Sequence, residues 1–183
     1  MKRFPGSIID IENSNASDFL NILFLGGDIV MAQIKSITGL GTPTLQNWVN
    51  RGFLPNPKGK KYNKNQLARI LIINSLRKTV KLDDIHKLLF FVNGNPNDES
   101  DDIIEESTLY VLICNVCQNS EFSLSNVDKC VIEALSQYNE RTKGAKKRLE
   151  IALKIICQTL IANDLLDSSE ELFFQITNQN STH

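Results

Sequence analysis

The chain has 183 residues, 42% of them hydrophobic, and a formal net charge of −1, which fits one or two small globular domains and excludes a disordered chain. Its apolar runs are far shorter than the roughly 18 residues that a membrane-spanning helix needs, so we expect no membrane span. No apolar stretch follows the N-terminal Met-Lys-Arg. We therefore predict no signal peptide and a cytoplasmic location, where the four cysteines would be reduced.

The charge is unevenly distributed along the chain. Residues 31–89 carry eleven Lys and Arg against two Asp, a net charge of +9. Because the whole chain carries −1, the other residues together carry −10. A basic segment within an acidic chain indicates a polyanionic partner, and nucleic acid is the commonest one.

The first 27 residues are predicted to be an N-terminal extension that holds one short helix. Ser17 or Asp18 is the expected N-cap of this helix, and two consecutive glycines end it. Asp28 is the expected cap of the next helix, whose apolar residues recur at helical spacing as far as Ile37.

Residues 38–41 contain two glycines and are predicted to be a turn into another helix. Thr42 is the expected N-cap of that helix, with Pro43 at its first position. Trp48 belongs to its apolar side and is expected in the core. Residues 55–62 hold two prolines, a glycine and three lysines, which predicts a short basic excursion. We expect no strand outside it.

Two helices should follow this excursion. Asn63 is the expected cap of a long helix that runs to about Val80, and a further helix begins at Leu82. The sequence Asn-Gly-Asn-Pro at residues 93–96 is a clear break. Six acids then fall between residues 98 and 106, and we expect an exposed linker there.

Beyond residue 106 the apolar residues recur at helical spacing throughout. We expect helices over 107–117, 125–138 and 145–164, and a last short helix over 169–176. The chain is therefore predicted to be mainly α, with a helical bundle as its C-terminal part. Its expected organisation is an N-terminal extension (1–27), a first domain (28–95), an acidic linker (96–106) and a helical C-terminal domain (107–183).

Short motifs between Ile34 and Leu89 occur in a characteristic order. They are Thr38-Gly39, Thr44-Leu45, Gly52-Phe53-Leu54-Pro55, Lys61-Tyr62-Asn63, Leu67, Ile70, Ile73, Leu76 and Leu82-Asp83-Asp84-Ile85. In this order and spacing they resemble the MerR-type winged helix-turn-helix, in which a first helix, a recognition helix, a wing and a helix pair follow one another. The resemblance implies that residues 28–95 form a DNA-binding domain, with a recognition helix over 42–51 and a short Lys-rich wing.

A closer resemblance rests on two blocks of sequence. They are Gln46-Asn47-Trp48-Val49-Asn50-Arg51-Gly52 and Lys60-Lys61-Tyr62-Asn63. Together they are similar to the signature of an uncharacterised bacterial family, the domain of unknown function numbered eighteen-thirty-six. This likeness extends into the acidic segment near Asp98. It implies no mechanism, because no activity is assigned to that family.

Three amide side chains are the candidate base readers. Gln46, Asn47 and Asn50 lie opposite the apolar side of the 42–51 helix, so we expect them to face outward. An Asn or Gln amide can present a donor and an acceptor to the major-groove edge of adenine. The alternative is an ordinary solvated helix face.

Candidate phosphate contacts flank these amides. Thr42 and Thr44 lie at the helix N-terminus, where N–H groups and a partial positive charge favour an anion, and Arg51 lies at its end. For Thr42, capping the helix is compatible with this role.

The wing supplies the remaining candidates. Lys58, Lys60 and Lys61 are expected to contact phosphates or an adjacent groove, with simple solubility of a turn as the alternative. Tyr62 is expected to pack its ring on the core and to offer its hydroxyl to a phosphate.

The four cysteines are weak signals. Cys114 and Cys117 form a Cys-x-x-Cys pair, but their spacing on an apolar helix fits buried core residues. The alternative is a zinc or redox site completed by Cys130 and Cys157. We expect core packing, and therefore neither a metal nor a cofactor.

An enzyme is not expected. His86 and His183 lie far apart, with no serine, cysteine or acid arranged around either of them as in a catalytic triad, and no Gly-rich phosphate loop or metal-binding His motif occurs. We therefore predict a sequence-specific, DNA-binding transcriptional regulator. The alternatives are a protein-interaction adaptor that uses the winged fold without DNA, and a small-molecule sensor whose unidentified effector binds between the C-terminal helices.

A homodimer through the C-terminal helices is also expected, because regulators of this type commonly pair to read two half-sites. The candidate interface is the apolar stripe of the helix 145–164, formed by Leu149, Ala152, Leu153, Ile156 and Leu160. The competing interpretation is that this stripe closes the chain's own C-terminal bundle.

Overall fold

The computed structural model of the protein describes residues 3–10, 14–98, 100, 102–140 and 142–179. The chain is mainly helical, as predicted. The elements in chain order are α1 (Ala16–Leu23), β1 (Ile29–Val30), α2 (Met31–Thr38), α3 (Thr42–Asn50), β2 (Lys61–Tyr62), α4 (Lys64–Leu76), α5 (Leu82–Asn93), α6 (Glu106–Gln118), α7 (Val127–Ala134) and α8 (Ala145–Gln179). Across these described residues, no helix is both long and apolar enough to cross a membrane.

Helix α4 is the centre of the fold. Every residue from Gln66 to Ile73 is buried, including Arg69, because α2, α5, α6 and α8 all pack against this helix. Its start matches the prediction. The Gln66 backbone N–H donates to the Asn63 side chain at 2.8 Å, and the Asn63 backbone N–H donates to the Gln66 side-chain oxygen at 3.0 Å. This reciprocal capping box satisfies two backbone donors of the first turn.

The N-terminal segment lies across the core as a strap. Gly6 has φ 74°, and a Cβ there would lie 2.0 Å from the backbone oxygen of Leu71 in α4, so only glycine allows this close approach. The Asn74 side chain donates to the Gly6 carbonyl at 2.7 Å, and the Tyr110 hydroxyl donates to the Pro5 carbonyl at 2.8 Å. The strap therefore connects α4 with α6.

Some predicted element boundaries are wrong. Asp28 does not cap α2, because residues 29–30 form β1, which pairs antiparallel with β2, and the N-cap of α2 is Val30. Thr42 is the first residue of α3 rather than its N-cap, a position that Gly41 takes without a side-chain hydrogen bond. The long helix ends at Leu76 rather than Val80.

The C-terminal helix differs most from its prediction. The two helices expected over 145–164 and 169–176 are one continuous helix, α8, of 35 residues. The intervening residues contain neither glycine nor proline, so nothing interrupts the backbone hydrogen bonds. Ser169, the predicted start of the last short helix, lies inside α8.

The apolar stripe proposed above as a dimer interface is buried within the chain. Leu149, Ala152, Leu153 and Ile156 are fully buried, and Leu160 is 3% exposed. They pack against helices of the same chain, mainly α4, α5, α6 and α7. The stripe therefore closes the chain's own bundle, as the competing interpretation has it. A homodimer through the C-terminal helices stays a prediction.

One hydrophobic core contains residues from both sides of the predicted linker. Ile103, Ile104 and Glu106 are buried, so this end of the acidic segment is not an exposed connection. The Glu106 carboxylate, at the start of α6, pairs with the Arg69 guanidinium, which is 2% exposed. The division of the chain into domains at residues 96–106 stays a prediction.

The buried ion pair generates a stability prediction. Glu106→Leu should lower the free energy of unfolding by about 3–5 kcal/mol, because the Arg69 guanidinium would remain buried without a charged partner. The double variant Arg69→Met/Glu106→Leu should recover more than half of this loss, since no charge is then buried. Urea unfolding followed by circular dichroism measures both. A single variant as stable as the wild type would contradict the prediction.

Candidate functional site

Helices α2 and α3 are joined by a short turn that sets the direction of α3. Gly39 has φ 71° and ends α2 in the left-handed conformation. The buried Thr38 hydroxyl donates to the Ile34 carbonyl at 2.7 Å and accepts from the Leu40 N–H at 3.2 Å. The Asn74 side chain of α4 donates to the Thr38 carbonyl at 3.1 Å. These contacts hold the turn against the core, so α3 begins in a defined orientation.

Helix α3 has one buried and one open side, as its sequence predicts. Leu45 and Trp48 are buried, with Trp48 1% exposed, which confirms Trp48 as a core residue. The three amide residues Gln46, Asn47 and Asn50 are exposed. They are therefore free to contact a partner.

Residues 55–62, which we call the basic loop, are held at both ends. At the start, the Gln66 side-chain amide donates to the carbonyls of Pro55 and Asn56 at 3.3 and 3.1 Å. At the end, Tyr62 pairs with Ile29 in the small sheet. The loop thus stands at a fixed position between the start of α2 and the start of α4.

The tip of the basic loop is a tight two-residue turn. The Lys61 N–H donates to the Lys58 carbonyl at 3.0 Å, and the two residues between them have φ 58° (Gly59) and 62° (Lys60). Two consecutive positive φ angles are typical of a type I′ hairpin turn. A lysine with a positive φ angle is uncommon. The turn directs Lys58, Lys60 and Lys61 into solvent, where all three are exposed.

A groove of about 590 Å³ lies between α3 and the basic loop. It brings together five of the ten predicted site residues. One wall is α3 and the other is the basic loop. The groove is lined by Met31, Thr42, Gln46, Val49, Asn50, Asn56, Pro57, Lys60 and Tyr62.

The other five predicted site residues lie outside the lining of this groove. Thr44 and Asn47 are on α3, with Asn47 exposed and Thr44 half-buried. Lys58 and Lys61 are exposed at the tip of the basic loop, and Arg51 follows the end of α3. The predicted set therefore forms a groove and a surrounding surface rather than one pocket.

Four lining residues were not among the predicted site residues. Met31, Val49, Asn56 and Pro57 complete the groove, and three of them are apolar. Met31 reaches it because β1 pairs with β2 and so brings the start of α2 beside the basic loop. Strands of two residues are too short to show an alternation pattern in the sequence. Of the four additional lining residues, only Val49 could have been predicted from spacing, because it lies next to the amides on α3.

Ion pairs compensate some of the eleven positive charges of residues 31–89. Four of them are paired: Arg69 with Glu106, Lys87 with Asp84 at 2.9 Å, Arg51 with Asp83 at 2.7 Å, and Lys78 with two acids of α8. The other seven form no ion pair with any described residue. Three of these seven are the lysines of the basic loop, beside the groove.

Tyr62 is 2% exposed, and burial raises the pKa of its hydroxyl. The hydroxyl is therefore protonated at neutral pH and can donate a hydrogen bond. Its ring packs on the core, as expected. Since the residue also lines the groove, a phosphate contact through the hydroxyl stays a prediction.

Arg51 is held by two neighbours. Besides the ion pair with Asp83, its guanidinium lies 4.5 Å from the centre of the Phe53 ring. The other neighbour of this ring is His86, whose ring centre lies 5.1 Å away. Only Nη2 of Arg51 contacts Asp83, and a guanidinium has five N–H donors, so Arg51 could contact a phosphate while it stays paired.

The four cysteines are free and buried in the C-terminal part of the core. Burial raises the pKa of the Cys114 thiol, and the neighbouring Cys117 together with burial raises that of Cys157, so both stay protonated at neutral pH. Within the described residues, no group of three or more Cys, His, Asp or Glu is arranged to hold a metal. The expectation that the chain is not an enzyme stays a prediction, and His183 lies outside the described residues.

His86 generates a prediction about pH. Its pKa is lowered by burial and by the nearby Arg69, against a smaller opposite effect of Asp83, and its buried Nδ1 has no hydrogen-bond partner among the described residues. The folded protein therefore takes up this proton at lower pH than the unfolded chain does. Above about pH 6.5 the His86 side chain is neutral in both the folded and the unfolded chain. As the pH falls below this value, the unfolded chain binds the proton first, so the folded state loses stability.

We expect the variant His86→Leu to lose less stability than the wild type between pH 7.5 and pH 5.5. The measurement is urea unfolding at both pH values. His183 is present in both proteins and cancels in the comparison. Equal losses would assign the pH dependence to other groups.

Comparison with known proteins gives a family match over part of the chain. Residues 28–113 match the family described as Domain of unknown function (DUF1836), which confirms that resemblance. The matched segment begins just before β1 and ends within α6, so it contains the groove, the basic loop and the Arg69–Glu106 pair but not α8. The resemblance to MerR-type proteins stays a prediction.

One similar protein is the uncharacterized protein YkrK of Bacillus subtilis (strain 168), which is 30% identical over 93 residues. The similar region is 46% of this chain and 40% of YkrK, so the chain spans less than half the length of this relative. No solved structure matches the chain.

Proposed function

We propose that this chain is a cytoplasmic, sequence-specific DNA-binding transcriptional regulator of bacterial type, with a MerR-like winged helix-turn-helix over residues 28–95. In this proposal α3 enters the major groove and the basic loop contacts phosphates. The observation that carries it is the groove between them: exposed amides form one wall, and lysines without carboxylate partners lie at the other.

The dimensions of α3 suit this role. An α-helix with its side chains is about 10–12 Å in diameter, and the major groove, about 12 Å wide, admits one. Gln46 and Asn50 are one helical turn apart, so their amides point the same way. Each can donate to and accept from an adenine edge.

The basic loop supports the electrostatic part of the proposal. Lys58, Lys60 and Lys61 stand on a rigid turn beside α3, and no described acid neutralises them. A helix in the major groove places its flanks near the two phosphate backbones. Lysines held there would release counterions from the DNA on binding, which gives affinity that falls steeply with salt.

A protein-interaction adaptor is the second candidate, and one observation favours it. Met31, Val49 and Pro57 make part of the groove apolar, and an apolar groove suits a peptide side chain. The salt dependence of binding distinguishes the two functions. Affinity for DNA should fall steeply as the salt concentration rises, and affinity of an adaptor for its partner should fall only weakly.

The experiment that tests the proposal is selection of bound fragments from random double-stranded DNA at moderate salt. We expect an enriched sequence motif. Recovery of no motif together with affinity that does not change with salt would favour the adaptor.

The basic loop gives a quantitative prediction. The variant Lys58→Ala/Lys60→Ala/Lys61→Ala should weaken binding to all DNA sequences alike. The slope of log K against log salt should decrease by about 0.9 for each phosphate contact that is lost. Fluorescence anisotropy titrations over a range of salt concentrations measure both.

The matched control is Lys143→Ala/Lys146→Ala/Lys147→Ala, which removes three exposed lysines at the start of α8. It changes the net charge equally but lies outside the groove. We expect a smaller change of slope for this control. The same change in both variants would mean that net charge, rather than the basic loop, determines the salt dependence.

The amides of α3 give the second prediction. Gln46→Ala or Asn50→Ala should relax the preference at one or two base pairs and weaken binding to the preferred site by about 1–3 kcal/mol. Stability should not change, because both side chains are exposed. The control is Asn115→Ala, an exposed asparagine on α6. Unchanged sequence preference in both α3 variants would contradict base reading by these amides.

A further inference from the structure

Three apolar side chains of the groove between α3 and the basic loop come from three different parts of the chain. They belong to Met31 at the start of α2, Val49 on α3 and Pro57 on the basic loop. Met31 reaches the groove because the neighbouring Val30 pairs with Lys61 in the small sheet. A small apolar group that enters the groove can therefore contact apolar surface from more than one element.

The groove side of α3 combines amides with one apolar side chain. Its lining residues are Thr42, Gln46, Val49 and Asn50, and their spacings of four, three and one residues place all of them on one face of the helix. Gln46 and Asn50 are exposed, and Val49 is half-buried, so part of the valine side chain is open to a ligand. No residue of this set is charged.

This combination of groups matches the major-groove edge of an A·T base pair. Adenine presents a donor and an acceptor, with which an Asn or Gln amide can pair, and thymine presents a methyl group. Guanine presents two acceptors and is read mainly by Arg or Lys. Neither Arg nor Lys is among the α3 residues that line the groove. The α3 side of the groove therefore favours A·T over G·C.

We propose that the groove is specific for A·T base pairs, and that Val49 and Met31 contact the 5-methyl group of a thymine. This inference rests on the proposed function and deepens it, because it names what the groove reads. The amides of Gln46 and Asn50 bind adenine, and the two apolar side chains distinguish thymine from a base without the methyl group. Val49 and Met31 are thus specificity-determining residues in addition to the amides.

The methyl contact differs physically from the contacts of the basic loop. Burial of a methyl group removes apolar surface from water and involves no phosphate, so it leaves the slope of log K against log salt unchanged. The lysines of the basic loop instead act on every DNA sequence alike and contribute to that slope. Sequence preference and salt dependence therefore report on the two parts of the site separately.

Replacement of thymine by uracil isolates the apolar contact. Uracil differs from thymine only by lacking the 5-methyl group, so it presents the same hydrogen-bonding groups to adenine and to the protein. The contacts of Gln46 and Asn50 with adenine therefore stay in place. Loss of one buried methyl group corresponds to about a fourfold change in affinity.

The test uses the wild-type chain and the DNA site obtained by selection from random fragments. Each thymine of that site is replaced by uracil, one position at a time, and affinity is measured by fluorescence anisotropy over a range of salt concentrations. We expect that uracil at one or two positions weakens binding about fourfold without a change of the salt slope. Full affinity for every substituted site, or a selected motif without A·T pairs, would overturn the proposal.

Two variants assign the methyl contact to the groove. Val49→Ser and Met31→Gln each place a polar group where the methyl group would pack, and the methyl group cannot replace the water that the polar group loses. Each variant should therefore bind the thymine and uracil sites with nearly equal affinity. The matched control is Val111→Ser, a half-buried valine on α6 outside the groove lining, which should keep the fourfold preference. Circular dichroism verifies that all three variants are folded.

The outcomes separate this inference from the proposed function. If selection enriches no motif and affinity does not change with salt, both are overturned, and the apolar part of the groove suits a peptide side chain instead. If a motif is enriched and affinity falls with salt, but thymine and uracil bind equally, DNA binding stands and only the methyl contact is overturned. A preference for thymine that persists in both groove variants would also overturn the roles of Val49 and Met31.

Discussion

The Arg69 side chain connects three parts of the fold that are distant in sequence. It extends from α4, its Nε donates to the Phe53 carbonyl at 2.7 Å, and its Nη1 pairs with Glu106. Phe53 lies three residues after the end of α3, and Glu106 begins α6. A buried guanidinium needs a partner for its charge, so the two contacts of Arg69 hold α3, α4 and α6 in their observed positions together. The orientation of the candidate groove therefore depends on contacts made in the second half of the chain.

Much of the architecture follows from local signals. Asn63 and Gln66 occupy the two positions of a capping box, and the helix begins there. The helix after Leu82 ends at Gly94, within the predicted break. The side of α3 that carries Trp48 is buried and the side that carries Gln46 is open. Each of these features is decided within a few residues, which is the range over which periodicity and capping act.

The features that the sequence did not reveal depend on distant contacts. The pairing of β1 with β2 involves two residues on each side, and the groove exists because of it. From the sequence, Glu106 is predicted to belong to a solvated acidic run, because its partner Arg69 is 37 residues away. In α8, helical spacing identifies the apolar stripe that begins at Leu149, but only the positions of the neighbouring helices show that its partners lie in the same chain.

Helix α8 is attached to the helix that holds the basic loop. Asn163 of α8 accepts a hydrogen bond from Thr79 at 2.9 Å and donates to the Ser75 carbonyl, and Lys78 pairs with Asp167 and Glu170. These contacts attach the end of α4 to the middle of α8, and the start of α4 holds the basic loop through Gln66. One helix therefore separates the basic loop from α8, so the candidate groove is supported by contacts that extend into the C-terminal part of the chain.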